Sequence, residues 1–146
     1  MLGIRKFEKT SIDLYQGDAE TFVCDSLVFF EDKIQDASKA SCKLPLSIGF
    51  DSTSNPDTDT IRSSIRSCLS RSDDKGMRHI CFIELEEQGK SNPPLSITMM
   101  HEIQSYLVEF KSTNIKRITF IVNSKESYLN YQTSLYKAFP EKNAGK

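Results

Sequence analysis

Four short segments of this 146-residue chain are almost unbroken runs of apolar residues: "SLVFF" (26–30), "LSIGF" (46–50), "HICFIEL" (79–85) and "RITFIV" (117–122). A strand with one wet face alternates apolar and polar residues. A strand covered on both faces does not need to. Runs of five to seven residues are too short for the usual helix and match the length of a buried strand. The chain is therefore expected to build a central sheet shielded on both sides. A fifth segment, "SIDLY" (11–15), alternates, with Ile12 and Leu14 turned inward.

The segments between the strands carry helical spacing. Over 59–70, Ile61, Ile65, Cys68 and Leu69 share one face, with Asp57 or Asp59 placed to cap the helix start. Over 96–111, Met99, Met100, Ile103, Leu107 and Phe110 form an apolar stripe behind Pro93 and Pro94. Over 124–138, Tyr128, Tyr131 and Leu135 repeat at helical spacing and Phe139 follows in step. Asn123 with Glu126 makes a capping box, and Pro140 stops the helix. A shorter helix is expected over 31–42. "SDDKG" (72–76) reads as a turn.

Strands alternating with helices imply a mainly parallel or mixed sheet in a three-layer α/β/α sandwich. The runs 79–85 and 117–122 are expected as inner strands. Residues 1–146 suffice for one domain, and a core of that size folds without a metal or disulfide. Two polar loops interrupt the pattern, "DSTSNPDTDT" (51–60) and "EEQGKSNPP" (86–94). The second follows the carboxyl end of a strand, where ligands bind in open α/β sheets.

Charge and motif content narrow the function classes. Nineteen basic and twenty acidic residues leave a net charge of -1, so no global field recruits nucleic acid or an anionic membrane. Arg62, Arg66, Arg71, Lys75 and Arg78 form one local basic row, read as a solvated helix face or a polyanion contact. No apolar run approaches the ~20 residues of a membrane span, and the amino terminus has no signal-peptide core. Cys24, Cys42, Cys68 and Cys81 form no Cys-x-x-Cys pair and have no metal-ligand spacing with His79 or His101. They read as reduced, mostly buried thiols, and both histidines read as structural. No metal site, cofactor motif or nucleophile-base arrangement is legible. A cytoplasmic or nuclear protein is the expectation.

The stretch "LYQGDAETFVCDSLVFFED" (14–32) is similar to the start of the macro domain, where a first strand runs through a Gly-Asp-Ile-Thr turn into an apolar strand ending in Asn-Ala-Ala-Asn. "IRSSIRSCLSRSDDKGMRHICFIEL" (61–85) and "NIKRITFIVNSKESYLNYQTSLYKAF" (114–139) resemble that family's later helix, strand and last helix. In its own right, Gly17 allows a positive φ and Asp18 caps a turn. The resemblance adds a role. Asp18 matches the aspartate that accepts the adenine amino group, and the backbone N–H of Ala19 faces adenine. Gly89 falls in the second phosphate loop, and Asn123 matches the polar residue after the last strand.

The departures are equally specific. The first asparagine of Asn-Ala-Ala-Asn, which faces the distal ribose and is tied to hydrolysis, is Phe29, and the last is Asp32. No glycine lies between Asp32 and Leu46, so the Gly-Gly-Gly-Val loop has no counterpart. The aromatic at the end of the last strand is Val122. Glu84, Glu86 and Glu87 near Gly89 repel phosphate, which Lys90 partly offsets. The resemblance thus implies a non-catalytic binding module whose ligand site comprises Gly17, Asp18, Ala19, Asp32, Gly89 and Asn123. Its partner is ADP-ribose or another adenine nucleotide, a polyanion, or a protein. The alternatives are an ADP-ribosyl hydrolase using Asp32 or Glu87 as acid/base, and an interaction scaffold that has lost its ligand.

Overall fold

The computed structural model of the chain describes residues 4–18, 22–30, 42–50, 56–84 and 95–140. Among these residues, six strands and three helices run in the order β1 (Ile4–Phe7), β2 (Thr10–Gln16), β3 (Cys24–Phe29), β4 (Cys42–Ser47), α1 (Thr58–Asp74), β5 (His79–Ile83), α2 (Leu95–Glu109), β6 (Arg117–Val122) and α3 (Lys125–Ala138). They form one mixed sheet of order β1-β2-β6-β5-β3-β4. Strand β1 pairs antiparallel with β2, and every other neighbouring pair is parallel. The α/β fold and the inner positions of β5 and β6 are as the apolar runs predict.

The two faces differ in how they are packed. Ile12, Val28, Ile80, Phe82, Ile118 and Phe120 point to the face that meets α1, α2 and α3 in the main core. Leu27, Phe29, Cys81 and Ile121 point the other way, into a second apolar cluster that contains no residue of those helices. Leu27 and Cys81 are fully buried there, so the sheet is shielded on both sides. The expected helix over 31–42 lies outside the described residues.

Several boundaries move for identifiable reasons. Strand β1 was not expected, because "IRKF" is four residues long and half of them are basic. The run at 46–50 is strand only at its start. Strand β4 begins at Cys42 and includes Pro45, which an edge strand tolerates because the proline nitrogen, which has no N–H to donate, can face the side without a neighbouring strand. Gly49, at φ +93°, takes the chain out of extended geometry. Helix α1 runs one turn past the expected end, through Ser72–Asp74, because polar residues at that turn find partners. Ser72 donates to Ser26 on β3 at 2.6 Å, and Asp73 accepts from the Tyr106 and Thr113 hydroxyls and the Asn114 N–H. Gly76, at φ +71°, then closes the helix, with Met77 N–H donating to Ser72 O and Gly76 N–H to Asp73 O. The start of α1 is capped as expected, by the Asp57 carboxylate accepting from Thr60 N–H at 2.8 Å.

Candidate functional site at the carboxyl ends of the strands

Because β2, β6, β5, β3 and β4 are parallel, their carboxyl ends share one edge of the sheet. That edge also receives the starts of the helices that follow β4, β5 and β6. Exposed N–H groups at helix starts and frayed strand ends make such an edge the place for a ligand in an α/β fold. Three adjacent strand ends are tied together there. Gly17 N–H donates to Val122 O at 2.9 Å, joining β2 to β6, and Glu84 N–H donates to Ile121 O at 3.0 Å, joining β5 to β6. Gly17, Asp18, Asn123 and Glu84 therefore stand side by side along the rim.

Gly17 does not serve the expected positive φ. Its φ is not positive. A Cβ at this position would come within 2.7 Å of the Tyr15 ring, which folds back over it. Tyr15 in turn packs on Phe22, with ring centroids 4.5 Å apart. The Asp18 carboxylate that follows is exposed. Ala19, Asp32 and Gly89 lie outside the described residues, as do Glu86, Glu87 and Lys90.

Asn123 does not cap α3. The cap is Ser124, whose Oγ accepts from Ser127 N–H at 3.1 Å. The expected partnership with Glu126 is replaced by one with Glu84, which is distant in sequence. One Glu84 oxygen accepts from Asn123 N–H at 2.8 Å and the other from the Ser127 hydroxyl at 2.7 Å. A carboxylate suits this position, because the start of a helix carries partial positive charge. Glu84 was singled out in the sequence only as a repellent of phosphate. Its two partners sit 39 and 43 residues away, and no local pattern reveals them.

Phe29, at the position matching the ribose-facing asparagine, is buried in the second apolar cluster, and Val122 is buried in the main core. Both are packing residues here. The basic row of α1 is largely taken up by α2. Glu102, itself buried, accepts from Arg62 at 2.8 Å and from Arg66 at 2.6 Å, and Arg66 also reaches Glu109 at 2.6 Å. Arg71 donates to Ser47 O at 2.8 Å.

A second polar cluster lies toward the other ends of the strands, and sequence reasoning missed it. Asp13 is buried on β2. Its Oδ1 accepts from the Thr119 hydroxyl at 2.6 Å, and its Oδ2 accepts from Arg117 Nε at 3.0 Å and Nη2 at 2.7 Å. Thr119 gives its single proton to Asp13, so His79 Nε2, 2.8 Å from the same hydroxyl, acts as the donor. Burial and then the Arg117 charge hold His79 below the ordinary histidine range, against the opposing pull of Asp13 and Asp25. Asp25 accepts the Arg78 and His79 N–H groups. These groups satisfy one another, and no buried side-chain nitrogen or oxygen among the described residues lacks a partner.

The four cysteines are free. Burial pushes Cys68 up to about 11, and Cys81 is also raised, first by its hydrogen bond with Cys24 and then by burial. Neither is poised as a thiolate. Among the described residues, no group of three His, Cys, Asp or Glu side chains could hold a metal ion, and no helix is long and apolar enough to cross a membrane.

No protein-family model and no curated protein sequence matches the chain. Solved structures do match its fold. The Trypanosoma brucei macrodomain in complex with ADP-ribose superposes with a TM-score of 0.69 at 16% identity, over 85% of this chain and 68% of that one. Another crystal form of that protein is covered over 66% of its length, so this chain spans about two-thirds of it. An Oceanobacillus iheyensis macrodomain mutant with ADPR gives a TM-score of 0.65 at 10% identity, over 92% of this chain and 96% of that one. The macro domain of ganglioside induced differentiation associated protein 2 gives 0.60 at 15% identity, over 88% and 84%. Identities this low speak to architecture alone, and the architecture they establish for this chain is the macro-domain fold.

Proposed function

We propose that this protein is a non-catalytic module that binds an adenine-containing nucleotide at the carboxyl edge of its sheet, with adenine held by Asp18 and little contribution from the diphosphate. The observation that carries the reading is the position of Gly17–Asp18. These two residues sit at the end of β2, with Gly17 hydrogen-bonded to the end of β6, in a fold shared with macrodomains solved with ADP-ribose and with ADP. A carboxylate there accepts the exocyclic amino group of adenine.

The weak diphosphate contact follows from what a diphosphate requires. Close approach needs backbone N–H donors unobstructed by side chains. The chain has no glycine between Asp32 and Leu46, and Glu84 already holds the Asn123 N–H. The absence of catalysis is supported by Phe29, which can neither orient water nor accept a hydroxyl proton. The hydrolase alternative rests on Asp32 or Glu87, which lie outside the described residues.

Calorimetry with adenosine and ADP-ribose on the wild type and on Asp18→Ala tests the reading. A hydrogen bond to a charged group contributes about 1.5–3 kcal/mol, or roughly one to two decades of affinity. Adenosine affinity should fall by that factor in Asp18→Ala while circular dichroism and thermal stability stay unchanged. ADP-ribose should bind no better than adenosine. Micromolar binding requires about 8 kcal/mol in all, so low-micromolar ADP-ribose affinity would show that other donors rebuild the phosphate site. Equal adenosine binding by both proteins would reduce Asp18 to a turn residue. ADP-ribose release from a mono-ADP-ribosylated protein above buffer background would overturn the non-catalytic part.

A further inference from the structure

Glu84 sets which chemistry the rim of the sheet accepts, an inference that rests on the binding reading above. Its carboxylate is fixed, not free to swing. The backbone carries it off the end of β5, its N–H donates to Ile121 O, and each oxygen accepts one hydrogen bond at the start of α3. Two consequences follow. The Asn123 N–H and the Ser127 hydroxyl, which would otherwise receive an anion at the start of α3, are already filled by an anion belonging to the protein. Each carboxylate oxygen also has a second acceptor position, because an ionised carboxylate accepts about four hydrogen bonds and donates none. The side chain is only half-buried, so those positions are open to hydroxyl donors.

We propose that Glu84 is the specificity-determining residue of this rim: it excludes a phosphate from the start of α3 and accepts hydrogen bonds from the hydroxyls of a nucleoside sugar in its place. The ligand class is then an uncharged adenine nucleoside, or a nucleotide bound with its phosphates turned away from α3. Two hydroxyls on adjacent sugar carbons match two carboxylate oxygens. Asp18 at the end of β2 and Glu84 at the end of β5 flank Asn123 at the end of β6, so base and sugar would span three neighbouring strands.

Adenosine, 2′,3′-dideoxyadenosine and ADP, titrated into the wild type, Glu84→Gln and Asp18→Ala, test this. In the wild type, removing both sugar hydroxyls should weaken binding about tenfold, and ADP should bind about tenfold more weakly than adenosine. Glu84→Gln keeps the shape and removes the charge. It should erase most of the penalty against ADP and most of the preference for the diol, while its melting temperature, measured alongside, reports that the fold is kept. Equal wild-type affinity for adenosine and dideoxyadenosine would overturn the inference, as would an ADP affinity that Glu84→Gln leaves unchanged. If adenosine binding depends on Asp18 but neither ratio responds to Glu84, this inference falls and the binding reading stands. If adenosine does not bind at all, both fall.

Discussion

The two ends of the parallel strands use their carboxylates in opposite ways. Toward the amino ends, Asp13 is buried and its oxygens are taken by Thr119 and Arg117, while Asp25 fixes the backbone entering β5. At the carboxyl ends, Asp18 is exposed and Glu84 is half-buried with acceptor positions to spare. The same residue types therefore hold the sheet together at one end and leave recognition capacity at the other. At Asp13 burial enforces the structural role, because a buried carboxylate must be fully hydrogen-bonded, whereas the exposed Asp18 and half-buried Glu84 can exchange water for a ligand.

This contrast breaks most visibly at Asp13. Asp13→Ala removes three hydrogen bonds to a buried carboxylate and leaves the fully buried Thr119 hydroxyl without its acceptor. A loss of about 3 kcal/mol in urea unfolding is expected, with adenosine affinity changed less than twofold. A loss below about 1 kcal/mol, within the range of exposed pairs, would remove the distinction between the two ends. Glu102→Ala comes next, at about 2 kcal/mol. Its carboxylate is buried, but the arginines it leaves behind are partly exposed and regain water. Again ligand affinity should be unaffected, because the α1–α2 clasp uses the basic row for packing. Strong salt-dependent binding of a polyanion in Glu102→Ala but not in the wild type would show what the clasp conceals.

Ser124→Ala should cost about 1 kcal/mol, as the loss of a helix cap does. It sharpens the comparison, because it is the carboxyl-end change that should register in stability. The smallest effect is that of pH on His79. Its proton affinity is lowered in the folded protein, so the unfolded chain binds the proton more readily. Stability should be fully present above the ordinary histidine value of about 6.5 and decline as pH falls through it. A shallow loss between neutral pH and pH 5.5, flattened in His79→Gln, is the expected outcome. A gain in stability on acidification over that interval would contradict the assignment of a neutral, donating imidazole.

The fold was largely legible because its signals are local. Phe82 and Phe120 sit in continuous apolar runs, and Ile61, Ile65, Cys68 and Leu69 keep helical spacing. These patterns survive without knowledge of partners. What failed depended on distant groups or on edges. Strand β1 needs β2 beside it to be a strand at all, and β4 carries a proline that only an edge position permits. The last turn of α1 looks like a turn until Ser26 and Thr113 supply partners for Ser72 and Asp73. Of the candidate site, Gly17 and Asp18 were legible as the end of the strand at 11–15, but the close approach of the Tyr15 ring to Gly17 was not. The Glu84 clamp and the Asp13–Thr119 pair join residues 39 to 106 positions apart. A single sequence carries no local trace of such contacts.

The central claim is that recognition belongs to the carboxyl ends alone, and backbone amide chemical-shift mapping during titration with adenosine tests it most directly. The account predicts that Gly17, Asp18, Glu84, Asn123 and Ser124 shift progressively with ligand, that His79 and Thr119 do not, and that Asp18→Ala moves the titration to roughly ten- to hundredfold higher ligand concentration. Saturable shifts centred on His79, Arg117 and Thr119, with the Gly17–Asp18 turn unmoved, would contradict it.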